Sequence, residues 1–365
     1  MPLDPQSQTS TSSAFSLHHI LRPNILSLKP YRSARDDFKK GVLLDANENP
    51  HQPGVSDGAH GLTLNRYPDP QYEALRARLA ELKDLRPEQI FLGNGSDEAI
   101  DLLIRMCCKP DADAILTTPP TYGMYEVCAD IQGVETLKAP LNSDFTLSPD
   151  TVLQKASQKN ATLIFLCSPN NPTANRQNTE TVKTILAGFS GLVVVDEAYI
   201  DFSAEPSLLP LLDEHPNLVV MQTLSKAWGL AGIRLGMAFG SPELISYMMR
   251  VKPPYNVNAL TQKTALEALA EPAYMQQTVE TLLAERQRVA EALEKHPGVS
   301  RVFPSDANFL LVQIPEARRI YQALAGRGII VRYRGDQIHC NDGLRITIGT
   351  AEENDRLLHA LKELL

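Results

Sequence analysis

Lys226 and Arg234 stand eight residues apart in the segment TLSKAWGLAGIR, and Asp196 stands thirty residues before Lys226 in VVVDEAYIDF. Lysine offers an amine for Schiff-base chemistry, aspartate a fixed negative charge, and arginine a partner for a phosphate or carboxylate. Earlier segments add matching groups. GNGSDE holds Gly95 and Ser96, where backbone N–H groups at the start of a helix can cup an anion. PPTYGMY offers the ring of Tyr122, CSPNNPT the amide of Asn171, and DEAYIDF the phenol of Tyr199. Singly these residues are unremarkable, since lysine is usually a surface residue and aspartate often caps a turn. Together they meet the needs of one cofactor. Pyridoxal phosphate requires a lysine amine, a carboxylate at its ring nitrogen, a phosphate cup, a ring on its face and neutral donors to its phenolic oxygen.

The elements that must deliver these groups are legible as apolar runs at residues 89–92, 114–118, 162–166, 192–195, 218–222 and 235–239, alternating with amphipathic patterns at 98–108, 179–188 and 242–251. Such runs predict strands buried on both faces, in a mostly parallel α/β sheet covered by helices. Ligands bind beyond the carboxyl ends of such strands, and the chemistry-bearing segments follow five of the runs. Beyond two long helical patterns at 257–269 and 274–295, the texture changes to an α+β layout closed by a helix from about residue 352. The reading divides the chain into a flexible arm at 1–20, a large cofactor-binding domain at 35–255 and a small domain at 256–365, with residues about 21–34 packed against the small one.

The segments DANENP, LNRYPDP, PPTYGMY, SPNNPT, VVVDEAYIDF, TLSKAWGLAGIRLG and LRITIGT resemble, in order, those of the histidinol-phosphate aminotransferases. These belong to the aspartate-aminotransferase-like (fold type I) pyridoxal-phosphate enzymes, and the resemblance runs from about Tyr31 to the C-terminus. It implies Lys226 as the Schiff-base lysine, Asp196 at the pyridine nitrogen, Tyr122 stacked on the ring, and Asn171 and Tyr199 at the phenolic oxygen. Gly95, Ser96, Ser225 and Arg234 would form the phosphate cup, with Asp97 and Thr223 also at the cofactor, although Asp97 reads equally well as a first-turn acid. Tyr67 would reach the cofactor of a neighbouring subunit, making the working unit a homodimer. Arg345 and Arg332 would hold substrate anions, with Tyr31 and Asn47 near them. The implied reaction converts histidinol phosphate and 2-oxoglutarate to imidazole acetol phosphate and glutamate. An aromatic-amino-acid aminotransferase and a threonine-phosphate decarboxylase share the scaffold as alternatives. A non-catalytic cofactor-binding regulator would need a DNA-binding helix pair, and the roughly forty residues before the expected fold show no basic helical pattern.

Two departures stand out. Ala174 follows N-N-P-T where the family usually has glycine, and residues 333–343 differ from the family pattern. Arg345 draws notice even without the resemblance, because a cation between Leu344 and Ile346 needs an anionic partner. The formal net charge of −8 and the lack of a basic run argue against a nucleic-acid partner. No apolar run reaches the length of a membrane span. Five cysteines without C-x-x-C spacing predict reduced thiols, no metal site and a cytoplasmic enzyme.

Overall fold

The computed structural model describes residues 15–30, 45–49, 51 and 62–365. Its larger sheet has seven strands: β1 (Ile90–Asn94), β2 (Ala114–Thr117), β3 (Glu135–Lys138), β4 (Ala161–Cys167), β5 (Leu192–Asp196), β6 (Leu218–Thr223) and β7 (Leu235–Phe239). They lie in the order β1-β7-β6-β5-β4-β2-β3. β7 runs antiparallel to both neighbours and every other pairing is parallel. Side chains alternate across a strand, and the sheet uses both faces. Leu92, Ile164, Val193, Val195 and Val220 enter one apolar cluster, while Phe91, Phe165, Val194, Val219 and Met221 enter another. Helices Thr179–Gly188 and Ala259–Leu269 contribute to the first cluster, and Ser96–Cys107 and Pro242–Val251 to the second. Six strands coincide with the expected runs. The seventh, β3, reads ETLK; it is an edge strand with only Leu137 buried, so it carries no apolar run to be noticed.

A second, antiparallel sheet follows, of β8 (Arg301–Val302), β9 (Phe309–Gln313), β10 (Arg332–Tyr333) and β11 (Gly343–Thr347), in the order β10-β11-β9-β8. Leu310, Val312, Leu344 and Ile346 form a core with Val289, Ile320 and Leu357 from the helices covering one face. The opposite face is different. Phe309 joins Tyr199, Ala174 and Phe202, and Leu311 joins the core of the larger sheet. Arg345 is the register partner of Leu311, so it shares the face turned toward the larger sheet's loops.

Packing differs from expectation at two places. Leu21 and Ile25 are buried against the larger sheet's helices rather than the small domain, and Arg22 donates from N to Met106 O and from Nη1 to Arg105 O. Leu17, within the expected arm, is buried in the same cluster, whereas residues 1–14 lie outside the described residues. The apolar spacing of Leu17, Leu21 and Ile25 could show a buried stripe but not its partner. Val257, Ala265 and Leu269 likewise belong to the larger sheet's core, on the far side of the boundary expected at 256. No helix among the described residues is long and apolar enough to cross a membrane.

Candidate active site

β1, β2, β4, β5 and β6 all end at one edge of the sheet, and antiparallel β7 begins there, which brings Arg234 to the same edge as Lys226. One cavity at this edge is lined by Gly95, Ser96, Asp97, Tyr122, Asn171, Asp196, Tyr199, Thr223, Ser225, Lys226 and Arg234, together with Cys167 and Ala198. Eleven sequence-predicted residues, spread over 140 positions of chain, thus meet in one place.

The turn after β1 forms an anion cradle. Gly95 has φ +77°, its N–H donates to Arg234 O at 2.8 Å, and Ser96 opens the helix Ser96–Cys107. Glu98 holds the turn by accepting from Asn94 N and from Asn256 Nδ2. The first N–H groups of a helix have no internal acceptor, and the residues that open this helix, Ser96 and Asp97, line the cavity. Ser225 N donates to Thr223 Oγ1 at 3.1 Å, and the two hydroxyls lie 2.9 Å apart. The Arg234 guanidinium is 3.7 Å from the Asp97 carboxylate. A Cβ built on Gly95 would stand 2.5 Å from Arg234 Nη2, and one on Gly236 2.1 Å from Ser96 N. Gly95→Ala is therefore expected to push Arg234 aside and weaken cofactor binding by roughly tenfold or more, the scale of one lost charge-assisted bond. A spectrophotometric cofactor titration checks this.

Asp196 is the last residue of β5 and buried, where the sequence suggested the first position past the strand. Its carboxylate accepts Tyr125 Oη–H at 2.7 Å and Ala198 N–H at 3.1 Å. Burial raises its pKa, and the Tyr125 bond opposes that rise. Lys226 is half-buried, with Nζ 5.3 Å from the centre of the Tyr199 ring. Burial first, and Arg345 second, lower its pKa, while Asp196 pulls it back. Among the described residues, neither Lys226 nor Asp196 sits in an ion pair. The cavity therefore holds a buried carboxylate and an amine poised toward its neutral form.

Tyr122 donates from Oη to Asp97 Oδ1 at 3.1 Å and meets Tyr125 edge-on, while Tyr125 stacks on Phe165. Arg345 reaches across from the second sheet and donates from Nη1 to Asn171 Oδ1 at 2.5 Å. Ala174 has φ +66° and is fully buried. A left-handed alanine costs about 1–2 kcal/mol, and the burial of its methyl against Tyr199 and Phe309 offsets about 0.8 kcal/mol of that. The turn thus keeps a conformation that suits glycine, at a modest cost.

Other expectations fare differently. Arg332 is the register partner of Arg345, but its side chain is exposed. Tyr67 is half exposed and stacked on Tyr255 at 4.5 Å. It lines a separate depression with Asn47, so within one chain Asn47 does not join the cavity. Strand patterning could not show this, because the described residues around Asn47 and Tyr67, 45–49 and 62–70, lie in no helix or strand. Tyr31 lies outside the described residues.

The sequence reading missed Tyr125, Cys167 and Arg334. Tyr125 had a signal: it falls one helical turn after Tyr122 in PPTYGMY. Cys167 is the register partner of Asp196, which only the β4–β5 pairing reveals. Arg334 is half-buried, and Arg345 lies close enough to depress its pKa after burial has done so.

Comparison with known proteins agrees with this geometry. The family model described as aminotransferase class I and II matches residues 39–361. A histidinol-phosphate aminotransferase of Parabacteroides distasonis is 51% identical over 350 residues, covering 95% of this chain and 99% of the relative. One of Cytophaga hutchinsonii is 49% identical, covering 96% and 99%. The crystal structure of the Sinorhizobium meliloti histidinol-phosphate aminotransferase, in complex with pyridoxal-5'-phosphate, superposes with a TM-score of 0.77 at 26% identity, covering 87% of this chain and 89% of that one. With a cavity that gathers amine, carboxylate and anion cradle at the strand ends, and with relatives matching nearly end to end, the chain belongs to the class I and II aminotransferases.

Proposed function

We propose that this protein is a pyridoxal-phosphate-dependent histidinol-phosphate aminotransferase, interconverting histidinol phosphate plus 2-oxoglutarate and imidazole acetol phosphate plus glutamate in histidine biosynthesis. The carrying observation is the bond from Arg345 to Asn171, which sets an anion-seeking guanidinium at the wall of the cavity that holds Lys226 and Asp196. The donor set fits the cofactor. Gly95, Ser96, Thr223, Ser225 and Arg234 supply N–H, hydroxyl and guanidinium groups for the phosphate, with Asp97 beside them. Asp196 would supply the charge for the ring nitrogen, Asn171 and Tyr199 would donate to the phenolic oxygen, and Tyr122 would flank the ring.

When bound, pyridoxal phosphate supplies the carbonyl carbon that takes the amino group and the ring that accepts electrons from the substrate's α-carbon. Lys226 Nζ removes the α-proton as general base and, once protonated, returns it as general acid. Its depressed pKa supports this role, because a neutral amine is the form that accepts a proton. Arg345 receives the phosphate of histidinol phosphate in one half-reaction and a carboxylate of glutamate in the other, since guanidinium geometry suits both. The reading includes a homodimer in which Tyr67 reaches the neighbouring subunit's cavity, supported by its exposure and its distance from its own. Five buried free thiols support a reducing, cytoplasmic setting.

Half-reaction rates with histidinol phosphate, phenylalanine, tyrosine and threonine phosphate test the substrate. Histidinol phosphate should react fastest, and unphosphorylated histidinol should be poor. Equal reaction of histidinol and its phosphate ester would transfer the assignment to aromatic substrates. Arg345→Ala should lower kcat/KM of both half-reactions by roughly 10²-fold or more, as a buried charge pair typically loses on truncation. Loss in only one half-reaction would mean that the two anions use different sites.

A further inference from the structure

Three arginines share one face of the second sheet. Arg332 lies directly opposite Arg345. Arg334 N donates to Gly343 O at 2.8 Å, which continues the ladder and sets Arg334 opposite Gly343. Residues two apart on a strand share a face, as do residues directly opposite. Gly343 presents no side chain there, so the diagonal neighbour of Arg334 is Arg345. Like charges so placed repel, and none of the three forms an ion pair with a carboxylate among the described residues.

Arg334 differs from the other two. Arg345 donates to Asn171, and Arg332 is exposed to solvent. Arg334 is half-buried, and its Nε is buried with no hydrogen-bond partner. Gln337 lies on the same turn, its N–H donating to Arg334 O at 3.0 Å, and its Oε1 is also buried without a partner. An orphaned buried guanidinium donor is costly unless an acceptor arrives. The field of Arg334 reaches Tyr199 on the cavity wall. Asp336 also acts on Arg334 but forms no ion pair with it, and burial pushes the nearby Cys340 thiol up to about 12, so that it stays neutral.

We propose that Arg334 is a specificity-determining residue, its Nε–H and charge completing a site for the dianion of a phosphate monoester. The inference rests on the reading of the cavity as an aminotransferase site with Arg345 at its anion end. A carboxylate has two oxygens and one charge, which a single guanidinium satisfies bidentately. A phosphate monoester brings three free oxygens and nearly two charges at neutral pH, leaving acceptors for a second guanidinium. Arg334 therefore matters for the phosphorylated substrate and not for glutamate.

The test compares wild-type, Arg334→Gln and Arg334→Lys holoenzymes in each half-reaction. It also measures inorganic phosphate as an inhibitor of the glutamate half-reaction at constant ionic strength; with the cofactor in place, its own phosphate cup is filled. Arg334→Gln should lose roughly tenfold or more in kcat/KM for histidinol phosphate, mostly through KM, and weaken inhibition by phosphate by a similar factor. The glutamate half-reaction should change by less than about threefold, and Arg334→Lys should recover part of the loss. Equal losses in both half-reactions would overturn the proposal and leave Arg334 a structural residue, and unchanged histidinol-phosphate kinetics would overturn it as well. If the wild type does not use histidinol phosphate while inorganic phosphate still inhibits with the Arg334→Gln penalty, the substrate reading falls and the phosphate site stands.

Discussion

Lys226→Ala is expected to abolish transamination, lowering each half-reaction by roughly 10⁴-fold or more. Loss of a positioned general acid–base alone costs about 10²–10⁴-fold, and in the proposed site this substitution would also remove the amine that anchors the cofactor. Cofactor binding should weaken but persist, because the cradle at Gly95 and Ser96, the Thr223–Ser225 hydroxyls and Arg234 are separate contacts on the same cavity. Borohydride reduction of the wild-type holoenzyme followed by peptide mapping should fix the label on the peptide containing Lys226. A label on another lysine would sink the whole assignment of the site. Stability should change little, since the amine makes no ion pair and its burial is only partial.

The second large effect belongs to Asp196. Its carboxylate is buried, held by Tyr125 and by the Ala198 N–H, and forms no ion pair among the described residues. A buried charge without a counter-charge costs stability, which is tolerable where a bound positive group offsets it. In the proposed site Asp196 would face the ring nitrogen of pyridoxal phosphate and, ionised, would keep it protonated. Asp196→Ala should slow both half-reactions by roughly 10²-fold or more, in the range of removed electrostatic stabilisers. Asp196→Asn should slow them comparably while leaving the thermal midpoint of the protein near that of wild type. Near-normal rates in single-turnover measurements of either variant would reduce Asp196 to a structural cap. Tyr125 predicts a smaller companion effect. Tyr125→Phe deletes the 2.7 Å bond to Asp196, and burial then raises the carboxylate's pKa with less opposition. The lower-pH limb of activity should move upward in pH, because in the proposed site the ionised form of Asp196 is the one that would hold the ring's proton.

The site was legible from sequence to the extent that it sits at strand ends. An apolar run such as LVVV ends where a polar residue must begin, and in a parallel sheet those ends share one edge. That reasoning placed Gly95, Tyr122, Asn171, Asp196 and Lys226 together without coordinates. It also placed Arg234 well, although the cause differs: β7 runs antiparallel, so Arg234 enters at the start of a strand. Ala174 shows the same legibility at a single turn. It stands where the resemblance expects glycine, the residue that tolerates a positive φ, and the backbone there has one, +66°.

What sequence alone determined is therefore the chemistry and its edge of the sheet, because residue type and a continuous apolar run are local properties. What tertiary structure decided is every contact between elements distant in the chain. The Leu17, Leu21 and Ile25 stripe fits either unit by pattern, and it packs on the larger because the helices Ser96–Cys107 and Pro242–Val251 leave an apolar surface there. Tyr125 reaches Asp196 only because β5 brings that carboxylate beside its helix. Arg334, outside any recognisable motif, stands with Arg332 and Arg345 because the β10–β11 register aligns three cations on one face. Register and packing depend on pairings across long stretches of chain, and no local pattern of residue types encodes them.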